Sequence, residues 1–146
     1  PNRPGLPYLN PTYNQWTLGY QYFGGFQHWK NNLGTFAAAS PVKTTASKPY
    51  WMLASDVVLN RTGTGWASQP GEVPPSGYSN LPAHKGKNGF PAGGNEVFID
   101  GSARWINASE MYYITYGWDS GKQFYFYQDN LSEVFKAQIG GLQTIK

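Results

Sequence analysis

The chain has 146 residues, 13% of them charged and 17% aromatic, with 18 glycines, 11 prolines, no cysteine and a formal net charge of +3. That length suits a single domain spanning 1–146, with a core large enough to need neither metal nor disulfide staples. The lack of cysteine removes thiolate zinc sites and thiol nucleophiles, and 11 scattered basic residues against 8 acidic ones argue against a nucleic-acid binder, which needs a concentrated basic stripe.

Low charge with abundant aromatics, Gly and Pro also argues against disorder. A helical bundle would be richer in Ala, Glu, Lys and Leu. The expected fold class is α+β and β-dominated: an antiparallel sheet with long irregular loops and a short C-terminal helix. No apolar run approaches the ~20 residues needed for a membrane-spanning helix. The chain opens Pro1-Asn2-Arg3-Pro4 without an initiator Met, which is the expectation for a processed or trimmed product.

Residues 1–15 carry four prolines and read as an extended arm. Leu18, Tyr20 and Tyr22 alternate at period two, predicting a short strand that ends at Gly24-Gly25. Phe26 to Asn31 reads as a helical turn, followed by a polar loop through Pro41. Tyr50 to Leu59 is nearly continuous in apolar character and predicts one central strand buried on both faces. Residues 60–93 form a long Gly/Pro/Ser/Asn-rich excursion of the kind that is usually functional or an Ω-type loop.

Asn95 to Ile106 carries a hairpin pattern, two β-prone runs around Asp100-Gly101 that fit a two-residue type I′ turn. In that register Phe98 faces Ala103 and Val97 faces Arg104, so Phe98 and Trp105 share a face as a core pair. Ala108 to Tyr113 reads as a short helical turn, and Lys122 to Gln128 as a strand. Leu131 to Ile139 closes as a helix, with Asn130 as N-cap, Glu133 three positions on, and Gly140-Gly141 as the stop.

Catalytic motifs are sparse. There is no Gly-x-Ser-x-Gly elbow, Walker loop or His-Glu-x-x-His, and no helix start follows the glycines of 86–94 to receive a phosphate. The carboxylates are Asp56, Glu72, Glu96, Asp100, Glu110, Asp119, Asp129 and Glu133. Asp100 has a turn role, and Asp129 and Glu133 a capping role. Asp56 stands out as an acid inside an apolar strand, where a charge needs a partner. It reads as a structural acceptor for a backbone N–H, an Arg or a Tyr, with metal or ligand binding as the alternative.

His84 reads as a loop anchor bonded to a strand end, with a metal or substrate contact beside Asp56 or Asp100 as its alternative. His28, next to Trp29, reads as packed and partly exposed. Most aromatics belong to the core. Trp66, Tyr78 and Trp118 lie in loops, where exposed rings can stack on glycans or anchor protein contacts. The three Asn-x-Ser/Thr sequons, at Asn60, Asn107 and Asn130, matter only in a eukaryotic secretory setting.

The stretch from Leu81 to Trp105 combines His84, a glycine-rich loop, Gly93-Gly94-Asn95, an apolar strand, Asp100-Gly101 and Arg104-Trp105. This order resembles the carboxy-terminal signature of bacterial prepilin-like, pseudopilin-like proteins of the type II secretion and type IV pilin-like group. Gly24-Gly25-Phe26 to Trp29 and the run from Phe124 to Asp129 are similar to it as well. The His-to-Asp-Gly spacing is longer here than in the commonest form of the signature, and the processing site of such proteins lies outside this sequence.

The resemblance implies a pilin-like head without its N-terminal hydrophobic helix. It also implies a non-enzymatic structural role in a secretion or pilus-like assembly, or as a membrane-tethered surface protein. The implied partners are other pilin-like subunits or secretion-apparatus proteins, at an extracytoplasmic (periplasmic or cell-surface) location, with membrane contact only through the missing helix. Related pseudopilins can bind calcium near their C-terminal strands. Asp100, Asp119 and Asp129 are the corresponding candidates, although no EF-hand-like spacing is present. No other cofactor is expected. Two further readings are a carbohydrate-binding module using loop aromatics and a hydrolase using Asp56 or His84.

Overall fold

The computed structural model describes residues 8–10, 14–17, 20–43, 45–63, 65–66, 82–86, 89–116, 121–129 and 131–139. Among these the fold is α+β and strongly β-dominated. Eleven strands pair only in antiparallel fashion, and one short α-helix lies near the C-terminus.

Strands β1 (Tyr8–Asn10) and β2 (Gln15–Thr17) form a ribbon. A four-stranded sheet runs in the order β3 (Tyr20–Tyr22), β6 (Met52–Asp56), β8 (Gly93–Phe98), β9 (Ala103–Asn107). A three-stranded sheet joins β10 (Tyr112–Tyr116), β11 (Lys122–Phe126) and β7 (Leu59–Arg61). β4 (His28–Asn31) and β5 (Gly34–Ala37) form a second ribbon. It is tied to β10: Lys30 N donates to Thr115 Oγ1 at 3.2 Å, and Asn31 Nδ2 to the Tyr113 and Ile114 carbonyls at 3.4 Å.

Several sequence expectations are corrected. Phe26 to Asn31 is not a helical turn, because β4 occupies His28–Asn31 and β5 lies inside the polar loop assigned after it. Burial alternates along β4, with Trp29 and Asn31 inward and His28 and Lys30 exposed, which is a strand period and not a helical one. The stretch Tyr50 to Leu59 is not one strand. It leaves the four-stranded sheet after Asp56 and enters the three-stranded sheet at Leu59, with Val57 and Val58 buried at the crossing. The continuous apolar run therefore reflects a chain passing between two sheets. Ala108–Glu110 does form a 3-10 turn, but the backbone is already extended at Met111 and β10 begins at Tyr112.

The hairpin is present with a different turn and a register shifted by one residue. Gly101 N donates to Phe98 O at 3.0 Å, and Phe98 N to Ser102 O at 2.9 Å. These bonds close a three-residue loop over Ile99, Asp100 and Gly101, in which Gly101 alone has positive φ, +82°. That is a type I turn followed by a left-handed glycine, not a type I′ turn. Val97 consequently faces Ala103, Glu96 faces Arg104 and Asn95 faces Trp105. A one-residue shift sends side chains to the opposite face. Phe98 therefore points into the core while Trp105 lies on the outer face, and the expected Phe98–Trp105 core pair does not exist. The loop's other ties, Ile99 N to Trp51 O and Asp100 N to Pro49 O at 3.1 Å each, come from distant residues.

Helix α1 spans Glu133–Ile139. Ser132 caps it, since its Oγ accepts the Phe135 N–H at 3.1 Å, and Glu133 is the first helical residue rather than a capping-box partner. This displaces the cap from Asn130, which, with Gly140 and Gly141, lies outside the described residues. Lys136 Nζ bonds Glu133 Oε1 at 2.8 Å on the exposed side of the helix.

The main core gathers Phe23, Trp29, Met52, Phe98, Ile114, Phe126 and Ile139, drawn from both larger sheets, the β4–β5 ribbon and the helix. Phe126 sits at its centre, 4.4 Å from the Phe23 ring and 5.4 Å from that of Trp29. A second cluster of Val58, Trp66, Ile106, Met111, Tyr113 and Tyr125 fills the space under the three-stranded sheet. Both faces of β11 are therefore covered, Phe126 on one side and Tyr125 on the other.

Candidate functional site

Pairing across the four-stranded sheet fixes which side chains share its outer face. One row runs Tyr20, Asp56, Asn95, Trp105, and the next runs Tyr22, Ala54, Val97, Ala103. At the end of β6 the Asp56 carboxylate points out along the first row. Its Oδ2 accepts the Asn95 backbone N–H at 2.8 Å, the Asn95 side-chain amide at 2.9 Å and His84 Nε2 at 3.1 Å.

Each residue of this cluster has a local reason to be there. Gly94 lets the strands pack closely: a Cβ there would lie 3.1 Å from Asp56 Cβ, so the neighbouring strand would have to give way slightly. At Gly93 a Cβ would meet Ile106 O at 2.2 Å and the Trp105 ring at 2.8 Å. The indole lies over that glycine and is also in edge contact with His84, with centroids 5.0 Å apart at 79°. His84 itself comes from a loop folded back on the approach to β8. Ala92 N donates to His84 O at 2.8 Å, Gly86 N to Phe90 O at 2.6 Å, and Lys85 bridges to Pro91.

An ionised carboxylate only accepts hydrogen bonds. With Asp56 accepting, His84 carries its proton on Nε2 and, when neutral, presents Nδ1 as the acceptor. A carboxylate-oriented imidazole can serve as a base or a ligand. Among the described residues, however, no third His, Cys, Asp or Glu joins these two into a group that could hold a metal ion. The bonds on Asp56 go to a backbone amide and to side chains of the same corner, which makes the cluster a latch between the His84 loop and strands β6, β8 and β9.

The other site residues expected from sequence are dispersed. Trp66 is not an exposed loop ring: it is 7% exposed and packs edge-on against Tyr125 at 5.1 Å. Trp118, Asp119, Tyr78 and Glu72 lie outside the described residues. Asp100 sits at the hairpin turn, where hydrogen bonds from the Ser102 side chain and backbone hold its carboxyl below the usual range. Asp129 accepts the Tyr127 hydroxyl and lies 3.9 Å from Arg104. Asp100 and Asp129 are engaged by different hydrogen-bond donors, and they do not join the His84–Asp56 cluster. His28 is exposed on β4 beside buried Trp29.

Sequence reasoning missed a second polar cluster on the inner face of the same sheet. Gln21, Ser55 and Glu96 are all buried there in one cross-strand row with Arg104. Glu96 is fully buried: Oε1 accepts Tyr127 N–H at 2.7 Å, and Oε2 has no hydrogen-bond partner. Burial pushes its carboxyl up to about 8, against the opposing pull of the Tyr127 amide and the Arg104 charge. The Arg104 guanidinium lies 4.5 Å from the Phe98 ring and 4.9 Å from that of Tyr127. Alternation in Glu96-Val97-Phe98 was the available signal, since it places Glu96 and Phe98 on the same side.

Comparison of the chain with profiles of known protein families, with curated proteins and with solved structures finds no significant match.

Proposed function

We propose that this is a non-catalytic head domain that works by assembly, as a subunit of a pilin-like or type II secretion-like apparatus or as a tethered surface protein. The observation that carries this reading is the use made of the signature residues. His84, Gly93, Gly94, Asn95 and Trp105 all serve to latch one loop onto the sheet through Asp56. Asp100-Gly101 closes the hairpin that supports the latch. This gives the signature residues a scaffolding purpose, and their two titratable groups, His84 and Asp56, are bonded to each other.

Two experiments test the reading. The upstream coding sequence should encode a long apolar helix, and its absence would count against a pilin-like subunit. Cross-linking of the full gene product in its native cells, followed by mass spectrometry, should recover pilin-like or secretion-apparatus neighbours. Hydrolytic turnover by the purified protein that is lost in Asp56→Asn would replace this reading with the hydrolase one.

A further inference from the structure

The outer face of the four-stranded sheet carries four exposed large side chains, Tyr20, Tyr22, Val97 and Trp105. Two of the rings come close over glycines. A Cβ at Gly24 would lie 2.3 Å from the Tyr22 hydroxyl and 2.5 Å from its Cζ, while at Gly93 it would meet the Trp105 ring. Despite this support, Tyr22 remains 59% exposed, Tyr20 53% and Trp105 43%. Bare backbone beneath a ring leaves the ring's far side available and removes much of the rotamer freedom that binding would otherwise cost.

The polar groups between the rings complete the pattern. Asp56 and Asn95 lie in the same row as Tyr20 and Trp105, and His84 meets them from the loop. Asp56 is the one charged side chain in the two rows, and three donors already meet its charge. Among the described residues of these two rows a charged partner therefore finds no free counter-charge, and an uncharged ligand matches. The ligand must pair apolar flat faces with many hydroxyl groups, since π-faces attract polarised C–H bonds and the flanking amide and imidazole supply hydrogen bonds. Strand spacing puts Tyr20 and Trp105 roughly 14 Å apart, three strand intervals, which suits a short chain of sugars rather than a single one.

From these observations we propose that this face is a binding platform for uncharged oligosaccharides. Tyr22, Tyr20 and Trp105 serve as stacking surfaces, and Asn95 and His84 as hydrogen-bonding groups. The site is separate from the loop tryptophans that sequence alone singled out, and it does not depend on the assembly reading.

The test is isothermal titration of the purified chain with neutral hexasaccharides of glucose and of N-acetylglucosamine, repeated at low and high salt. Binding should be insensitive to salt and should weaken at least tenfold in Tyr22→Ala and in Tyr20→Ala. Both positions are exposed, so these variants should keep the wild-type melting temperature. Trp105→Ala also loosens His84 and is read only alongside its own melting curve. No binding of either sugar at millimolar concentration, binding unchanged in a Tyr20→Ala/Tyr22→Ala double variant, or binding that falls steeply with salt would each overturn the proposal. Mapping of a protein subunit to this face in the cross-linking experiment would do the same.

Discussion

His84 Nε2 lies 3.1 Å from Asp56 Oδ2, across 28 residues of sequence. Asn95 brings its backbone and side-chain N–H groups to the same oxygen. One carboxylate thereby joins a loop to two neighbouring strands, and the loop to the indole of a third. A carboxylate in a partly apolar setting is costly to leave unpaired, so the latch and the sheet corner stabilise each other.

Asp56→Ala should strip the acceptor from three donors at once. Loss of a hydrogen-bonded charge typically costs about 1.5–3 kcal/mol, so the urea midpoint should fall accordingly. Amide hydrogen exchange should rise first in residues 84–92. An unchanged midpoint with unchanged exchange there would mean that the latch holds nothing.

Glu96 should make stability depend on pH. Its folded carboxyl titrates near 8 instead of 4.5, so between those values the folded chain keeps a proton that the unfolded chain has released. Stability should be greatest below about pH 4.5 for this group, fall by roughly 1.4 kcal/mol per pH unit towards pH 8, and level off above it. Glu96→Gln removes the titration and retains an acceptor for the Tyr127 N–H. Its denaturation midpoints at pH 5, 6.5, 8 and 9 should lie on a flatter line than wild type. Parallel lines would rule out a raised carboxyl.

Two glycines should respond for different reasons. Gly101 has φ of +82° but open space around its missing Cβ. Gly101→Val should therefore cost about 1–3 kcal/mol of backbone strain, and Gly101→Asn distinctly less. Gly93→Ala drives a methyl into Ile106 O and the Trp105 ring. It should destabilise and also shift Trp105 fluorescence, which the Gly101 variants should leave alone.

Trp66→Ala tests the corrected position of that ring. A side chain packed on Tyr125 within a buried cluster should cost about 3–5 kcal/mol on truncation, read as a loss in thermal midpoint. A change within experimental scatter would return Trp66 to the surface.

Where the sequence was legible, the signal was local. Asp100-Gly101 marked a reversal because a left-handed glycine is needed there, and alternation around it marked two strands. The turn type escaped because the bonds that select it come from Trp51 and Pro49. Once the loop gained its third residue, every assignment of face in β9 inverted, and Trp105 moved from core to surface. Tyr20 and Tyr22 were placed on one side correctly, yet the buried residue between them is Gln21. Hydrophobicity alone would bury the tyrosines instead.

Composition and local pattern by themselves determined a β-dominated chain with a short C-terminal helix, the existence of the hairpin, and the two polar residues, Asp56 and His84, that needed a partner. These follow from side-chain chemistry and from the conformations that each residue allows within a few positions. Only the tertiary structure decided that the partners are each other, that one apolar run serves two sheets, and that Tyr20, Tyr22 and Trp105 share the outer sheet face. Those outcomes depend on which strands lie side by side, and a pairing between distant segments leaves no trace in the short-range spacing of either.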